Sequence, residues 1–267
     1  MPDYAFVFAG FAVGLIVGLT GVGGGSLMTP ILIFFFGVKP YLAVGTDLLF
    51  AAFTKLGGTV SLARQRLVPW RVVALLCAGS IPAALAALWA LRHLGPDSAA
   101  AQRLMTSTLG VALLLTAAAT FYKVLVFSPE RAAAEAARRS AQFAHASAPR
   151  HWSLPVLLGA VIGLLVTFTS VGAGAIGVSV LLLVFPHLPL PRIIAADIAY
   201  AVPLTLVAGL GHAAIGSVDW TLLALLLCGS LPGIWVGTRL AQHAPQRWVR
   251  TLLSLLLAYA GSKLVLA

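Results

Sequence analysis

The sequence is poor in charge. Only 9% of its 267 residues are Asp, Glu, Lys or Arg, and only seven of these are acidic. A soluble domain of this length needs a charged surface, so this composition and a mean hydropathy of +1.01 exclude one. With 60% hydrophobic residues, the chain is predicted to be an all-α, polytopic integral membrane protein.

Cysteine is also scarce. Cys77 and Cys228 both lie inside apolar runs, so they indicate no disulfide and no metal site, and we expect no cofactor. Asp3, with no basic residue, precedes the first apolar run, which argues against a cleaved signal peptide. The net charge of +10 comes mainly from short segments between apolar runs, where it sets membrane topology, so we expect no binding of nucleic acid.

What the chain has instead is long apolar runs, in two similar sets. At an offset of 150 residues, Asp47 matches Asp197, and Gly-Ser-Ile-Pro at 79–82 matches Gly-Ser-Leu-Pro at 229–232. Matches that recur in the same order predict an internal duplication. The apolar runs cover residues 5–36, 43–62, 70–91, 104–127, 154–185, 193–211, 220–238 and 249–266.

The duplication divides the chain into three parts. Residues 1–127 are predicted to form the first transmembrane repeat, and residues 153–267 the second. Residues 128–152 between them are alanine-rich and charged, which is typical of a cytoplasmic linker with an interfacial helix.

The first apolar run of each half is too long for one ordinary span. As a helix, residues 5–36 would extend about 48 Å, against about 30 Å of hydrocarbon. A glycine cluster divides this run, and a second cluster divides residues 154–185. Each run is therefore either one broken span or a hairpin that turns back at its cluster.

Loop charges favour the hairpin. The arginine-rich loop 63–71 is predicted to be cytoplasmic, whereas its counterpart 212–219 has no Lys or Arg. The basic loop 239–250 lies on the same side of the membrane as the linker only if residues 154–185 enter the membrane and return to the side from which they entered. We therefore predict two inverted repeats, each a half-helix hairpin plus three full transmembrane helices, with both termini extracytoplasmic. This arrangement places Arg92 and Arg103 on the extracytoplasmic side, although basic residues are usually found on the cytoplasmic side.

The two glycine clusters are predicted to bind a small anion. Dense glycine permits backbone conformations that a side chain would forbid, and it exposes N–H groups where the next helix begins. A helix N-terminus carries about half a positive charge, so two such ends near the membrane midplane attract an anion. A tight hinge without a ligand is the alternative. The candidate substrate-binding residues in the clusters are Thr20, Gly21, Val22, Gly23, Gly24, Gly25, Ser26, Thr169, Ser170, Val171, Gly172, Ala173 and Gly174.

Three charged residues lie inside predicted spans, where charge is costly and points to function. Asp47 and Asp197 occupy equivalent repeat positions and are the candidates for proton coupling. Lys55, eight residues after Asp47, either pairs with it on the same helix face or adds positive charge to the anion site. Asp197 has no charged partner in its own span, and His212 lies near the end of that span. A structural role, in which these side chains tie spans together, is the alternative.

Five more glycines recur at intervals of four residues before the clusters. They are Gly10, Gly14 and Gly18 in the first half and Gly159 and Gly163 in the second. This spacing places them on one helix face, which is typical of close helix packing.

Three motifs carry a resemblance to a known family. They are Gly-Leu-Thr-Gly-Val-Gly-Gly-Gly-Ser at 18–26, Val-Gly-Thr-Asp-Leu-Leu at 44–49 and Gly-Ser-Ile-Pro at 79–82, each repeated in weaker form. They resemble the sulfite exporter TauE/SafE family of membrane permeases over nearly the whole chain. The resemblance implies a secondary carrier of sulfur oxyanions, such as sulfite or organosulfonates, in the bacterial inner membrane. Asp47 stands where the family often has serine, so the cargo and the coupling ion stay open.

We therefore expect a secondary transporter, not an enzyme, that exports a small anion by alternating access. Its expected partners are this anion and the lipid bilayer, and a homodimer is compatible with the sequence. An anion channel is the first alternative, because paired half-helices from inverted repeats resemble water channels; their Asn-Pro-Ala signature is absent here. The second alternative is a membrane subunit that transports nothing itself.

Overall fold

The computed structural model describes residues 3–20, 25–126, 153–172, 174–185, 188–241 and 246–266. Every regular element among these residues is a helix, which confirms the all-α prediction. In chain order the helices are α1 (Asp3–Thr20), α2 (Gly25–Phe36), α3 (Pro40–Arg64), α4 (Trp70–Leu94), α5 (Ala99–Val126), α6 (Ser153–Thr169), α7 (Ala175–Val184), α8 (Leu190–Ala214), α9 (Trp220–Leu240) and α10 (Gln246–Leu266).

Among the residues that the structure describes, four helical segments are long and apolar enough to cross a membrane, by length and composition. They are Trp70–Leu94, Ala99–Phe121, Leu190–Ala214 and Trp220–Leu240. The 25-residue α3 is not one of them, although its repeat equivalent α8 is. Three full spans in each half therefore stay a prediction. The shorter apolar helices of the described residues are Tyr4–Leu19, Leu27–Phe36, Ser153–Thr169 and Thr251–Val265.

Local sequence accounts for several helix ends. Pro40 begins α3, where its missing N–H has no helical partner to lose. Asp219 caps α9, because its Oδ1 accepts a hydrogen bond of 3.0 Å from the Leu222 N–H. Gly95, at a φ of 77°, follows the last residue of α4 in the left-handed conformation that favours glycine.

The first helix of each half packs on the other half. Helix α1 lies along α9, and α6 lies along α4. At an offset of 150 residues, α9 is the repeat equivalent of α4, so the two halves exchange their first helices. The predicted glycine stripes make both contacts. Gly14 faces the backbone of Ser230, and Gly163 faces the backbone of Ser80 at the matching position of the other half.

The repeat-equivalent helices α3 and α8 pack against each other in opposite directions. Gly45 lies against His212 and Ser217 near the start of α3, while Gly58 lies against Ile198 near its end. Helices α5 and α10 also pack together. Antiparallel equivalent helices are what an inverted repeat requires, although the orientation of the halves across a membrane stays a prediction.

The molecule is apolar outside and polar in places inside. Large hydrophobic side chains such as Phe35, Trp89 and Trp235 are exposed, as expected where lipid covers the surface. Trp70 and Trp220, which begin α4 and α9, are exposed near span ends. The polar side chains buried among the described residues include the predicted coupling candidates. The predicted linker 128–152 lies outside the described residues.

Candidate functional site

The second glycine cluster breaks the chain between α6 and α7. Ser170, Gly172 and Gly174 have φ values of 57°, 134° and 135°, in the region that L side chains rarely adopt. The Gly177 N–H then donates to the Gly172 carbonyl, at 3.0 Å, in the first turn of α7. The helix therefore breaks at this cluster, and its glycines adopt backbone conformations that a side chain would disfavour; whether the chain turns back here as a hairpin stays a prediction.

The hydroxyl groups of this cluster differ in their bonding. Thr169 Oγ1 lies 2.6 Å from the Leu165 carbonyl, to which it donates, and accepts from the Val171 N–H at 3.0 Å. This hydroxyl therefore closes the end of α6. Ser170 Oγ is buried and has no hydrogen-bond partner among the described residues. Of the two hydroxyls, Ser170 is the one with bonding capacity left.

The first glycine cluster is only partly described. Gly21, Val22, Gly23 and Gly24 lie outside the described residues, as does Ala173 of the second cluster. Thr20 ends α1, and Gly25 and Ser26 begin α2, but the side chains of Thr20 and Ser26 are not described. The predicted anion contacts of these residues stay predictions.

Asp47 connects the first half to the second cluster. Its carboxylate is fully buried and accepts a 2.5 Å hydrogen bond at Oδ2 from the Thr29 hydroxyl of α2. Ser170 lies beside the same carboxylate. Oδ1 of Asp47 has no hydrogen-bond partner in the part of the chain that the structure describes. Thr29 therefore holds Oδ2 of Asp47, whereas Oδ1 has hydrogen-bonding capacity left.

Asp197 lies against the first turn of α7. Its Oδ1 occupies the space where a side chain at Gly177 would be, so any Cβ at Gly177 would overlap the carboxylate. A carboxylate is stabilised at a helix N-terminus by the partial positive charge there. A carboxylate of the protein therefore lies at one of the two helix ends predicted to bind an anion.

Lys55 joins the two carboxylates electrostatically. It interacts with Asp197 from the second half and with Asp47 from its own helix, and it is partly exposed. The sequence identified no charged partner for Asp197 within its own span. The structure supplies one from the facing helix, because α3 and α8 pack together. Both predicted coupling candidates and Lys55 therefore belong to one charged group at the contact between the halves.

Sequence reasoning missed two residues of this site. Thr29 bonds Asp47, and the buried Tyr200 lies within electrostatic reach of Asp197. At the offset of 149 residues that relates the adjacent glycine clusters, Val178 stands at the position equivalent to Thr29, so the repeat carries no signal for this hydroxyl. Tyr200 carries no such signal either. The described residues contain no group of three or more His, Cys, Asp or Glu that could hold a metal ion.

Comparison with known proteins identifies the family of the chain. The family model named Sulfite exporter TauE/SafE matches residues 6–264. The chain belongs to this family. Family membership makes it a membrane transporter rather than an enzyme, and the resemblance drawn from the motifs is confirmed.

The curated relatives that match the chain are from Bacillus subtilis (strain 168). The probable membrane transporter protein YjnA is 34% identical over 271 residues, covering 98% of this chain and 99% of YjnA. The probable membrane transporter proteins YdhB and YunE are 24% and 26% identical, over 94% and 90% of this chain and 95% and 87% of their own lengths. No solved structure matches the chain significantly.

Proposed function

We propose that this protein is a multi-pass secondary transporter of the bacterial inner membrane that exports a small anion, sulfite or an organosulfonate, by alternating access. The observation that carries the proposal is the electrostatic interaction of Lys55 with both Asp47 and Asp197, of which Asp197 lies against the first turn of α7. Ionisable groups inside a membrane protein mark ion and substrate pathways. The family name supports the class of anion.

In this proposal the anion binds where the charge of Lys55 and the N-terminus of α7 act together. Asp197 already lies at this helix end, so it holds the site when no substrate is present. The anion then replaces the carboxylate at the N–H groups of α7, with the Ser170 hydroxyl as a further donor. The matching end of α2 completes the site through residues of the first cluster.

Charge balance favours proton coupling. Asp47, Asp197 and Lys55 together carry one net negative charge when all three are ionised. An anion 4 Å from such a charge is repelled by about 4 kcal/mol at an effective dielectric constant of 20. Protonation of one carboxylate removes this repulsion. Asp47 and Asp197 are therefore the proposed coupling groups, and the anion and a proton cross together.

Counterflow of a labelled anion in proteoliposomes tests the proposal. We expect Lys55→Gln to slow the exchange of labelled for unlabelled sulfite at least 10-fold, because it removes the only charge of the group that attracts an anion. Lys39→Gln is the matched control, since Lys39 is exposed and pairs at 3.6 Å with exposed Asp97, an interaction of about 0–1 kcal/mol. Unchanged exchange in Lys55→Gln would place the site elsewhere.

The same assay distinguishes the alternatives. Flux that does not saturate and shows no exchange would indicate a channel. If wild-type protein moves neither sulfite nor an organosulfonate, the proposal of a transporter for these anions fails.

A further inference from the structure

Ser170 stands at a backbone position that glycine would suit better. It lies between α6 and α7 at a φ of 57°, in the left-handed region that L side chains rarely adopt. At the offset of 149 residues that relates the two clusters, Gly21 stands at the equivalent position of the first half. Glycine adopts this conformation without strain. The second half therefore has a strained serine where the repeat has a glycine, which indicates a use for the serine side chain.

The hydroxyl of Ser170 is buried, unbonded and close to a carboxylate. Ser170 is 6% exposed, and its Oγ has no hydrogen-bond partner among the described residues. It lies beside the fully buried carboxylate of Asp47, whose Oδ1 also lacks a partner in the described part of the chain. A hydroxyl can donate to a carboxylate, yet these two groups are not in hydrogen-bond geometry with each other. Neighbouring buried oxygen atoms with bonding capacity left are what a ligand site provides.

The break between α6 and α7 packs directly on α2 and α3. Val171, which follows Ser170, is 1% exposed and lies in one hydrophobic cluster with Met28 of α2 and Phe50 of α3. The hydrogen bond from the next residue of α2 holds Asp47 at Oδ2. Elements of both halves therefore meet at Asp47, and packing on each side holds the hydroxyl and the carboxylate in place.

The charges on this side of the break favour a cation. Asp47 is negative when ionised, and the C-terminus of a helix such as α6 carries about half a negative charge. The nearest positive residue along α3 is Lys55, about 12 Å farther along the helix axis, and it interacts with Asp197 as well as with Asp47. The proposed anion position lies at the other side of the break, at the N-terminus of α7, which has the opposite partial charge. The break thus has a negative side at α6 and a positive side at α7.

The oxygen atoms on the negative side suit a small metal cation better than a proton. Carboxylate, hydroxyl and carbonyl oxygens are the ligands that hard cations prefer. In secondary transporters, carbonyls of unwound helices and the C-terminal ends of half-helices coordinate Na⁺ or a proton. A proton on Asp47 would use one carboxylate oxygen and would not need the oxygen of Ser170, whereas a metal cation uses both groups. One carboxylate balances one positive charge, so a monovalent cation matches this group.

We propose that Asp47 and Ser170 bind Na⁺ at the end of α6, and that this ion fills the coupling role of Asp47. Asp47 Oδ1 and Ser170 Oγ are two of its ligands, and backbone carbonyls at the end of α6 complete the set. The Ser170 hydroxyl keeps its hydrogen, so it donates to the anion while its oxygen binds the cation. The inference rests on the proposed function, since it names the ion that Asp47 couples to the anion, and it leaves the proton to Asp197.

The hydroxyls belong to only one of the two repeat positions. At the offset of 149 residues, Gly21 stands at the position of Ser170, and Val178 stands at the position of the threonine that bonds Asp47. The equivalent carboxylate, Asp197, lies instead against the first turn of α7 at Gly177. The chain therefore provides one Na⁺ site, and one Na⁺ is expected to accompany each anion.

Thermal unfolding of the purified protein in detergent tests binding, in NaCl and in choline chloride at equal concentration. Choline is too large for a site between adjacent buried oxygen atoms. Because an ion that binds only the folded state stabilises it, we expect the wild-type Tm to be about 3 °C or more higher in NaCl. Ser170→Gly is expected to lose this difference without a lower Tm in choline chloride, because glycine suits the backbone there.

Ser80→Ala is the matched control for this experiment. Ser80 of α4 is also a buried serine whose hydroxyl has no partner among the described residues, but it does not belong to the proposed site. Its variant is expected to keep the full difference between the two salts. Asp47→Asn is the second test variant, because it keeps the shape of the side chain and removes its charge, and it is expected to lose the difference.

Counterflow in proteoliposomes tests coupling. Labelled sulfoacetate is the probe, because its sulfonate stays ionised and does not cross the bilayer unaided. With the same salt on both sides, we expect wild-type exchange to be about 10-fold or more faster in NaCl than in choline chloride. Ser170→Gly is expected to lose this dependence on Na⁺, whereas Ser80→Ala is expected to keep it.

The possible results separate the Na⁺ site from the proposed function. Equal wild-type Tm values in the two salts, or a difference that survives in either Ser170→Gly or Asp47→Asn, would overturn the site. If Asp47→Asn does not fold, as judged by gel filtration, Ser170→Gly decides. Equal wild-type exchange in the two salts would overturn the coupling role of Na⁺ and leave the transporter intact. No exchange in either salt would remove the proposed function, while the Tm values would still decide whether Na⁺ binds at Asp47.

Discussion

The exchange of first helices between the halves makes a sharp prediction for Gly14→Ala. A Cβ at Gly14 would lie 2.8 Å from the Ser230 Cα, whereas carbon atoms in good contact are about 3.5–4.0 Å apart. The backbones of α1 and α9 would have to separate by about 1 Å. Overpacking of this kind costs about 1–3 kcal/mol, and the upper value applies because backbone cannot rotate away.

The same change also has a favourable effect that must be subtracted. Alanine is better than glycine in a helix by about 1 kcal/mol, so Gly14→Ala is expected to lower the free energy of unfolding by about 2 kcal/mol. Gly57→Ala in α3 is the control, because a Cβ there would meet no atom within 4 Å. It is expected to gain about 0.5–1 kcal/mol. The two variants should therefore differ by about 3 kcal/mol.

Thermal unfolding in detergent, followed by tryptophan fluorescence, measures this difference. At about 2–4 °C per kcal/mol, we expect the Tm of Gly14→Ala to lie about 6–12 °C below that of Gly57→Ala. Gly163→Ala should behave like Gly14→Ala, because its Cβ would lie 2.7 Å from the Ser80 Cα. If Gly14→Ala melts as high as Gly57→Ala, the backbones of α1 and α9 are not in contact, and the reasoning is wrong.

Two further predictions concern the carboxylates. Thr29→Val removes the hydrogen bond to Asp47 Oδ2, so we expect the free energy of unfolding to fall by about 1–3 kcal/mol, measured by thermal unfolding. Thr108→Val is the control, because the Thr108 hydroxyl bonds carbonyl groups of its own helix. Gly177→Ala would displace the Asp197 carboxylate from the first turn of α7, so we expect the rate of sulfite counterflow to change at least 5-fold. The control variant Gly57→Ala is expected to leave this rate unchanged. Equal rates in the two variants would show that Asp197 does not hold the anion position.

The break in each first run and the buried positions of Asp47 and Asp197 could be predicted because they repeat, whereas the coupling role of the two residues stays a prediction. The glycine clusters interrupt the same run in both halves, and Asp47 and Asp197 stand at the same repeat position. Helical spacing also placed Gly14 and Gly163 in close packing contacts, as the structure has them. Periodicity and repetition are properties of the sequence itself, so they are readable without a structure.

Contacts between the halves were not predictable in this way. Helical spacing relates Lys55 to Asp47 on one helix, but nothing in the sequence says that α8 lies beside α3 and brings Asp197 to Lys55. The hydroxyl of Thr169, a candidate for the anion site, bonds the carbonyl of Leu165, and its contact with an anion stays a prediction. Whether a hydroxyl bonds its own helix or a ligand depends on its rotamer, which the sequence does not determine.

The glycine stripes also limit how the protein could move. Gly14 fixes α1 to α9 and Gly163 fixes α6 to α4 through direct backbone contacts, so the first helix of each half is held by the other half. Rocking one complete half against the other would separate backbones that pack without intervening side chains. The contact of α3 with α8 differs, because Lys55 of α3 interacts electrostatically with Asp197 of α8. Since protonation and anion binding change the charge at this contact and not at the stripes, alternating access is expected to rearrange α3 and α8, together with α2 and α7 that pack on them.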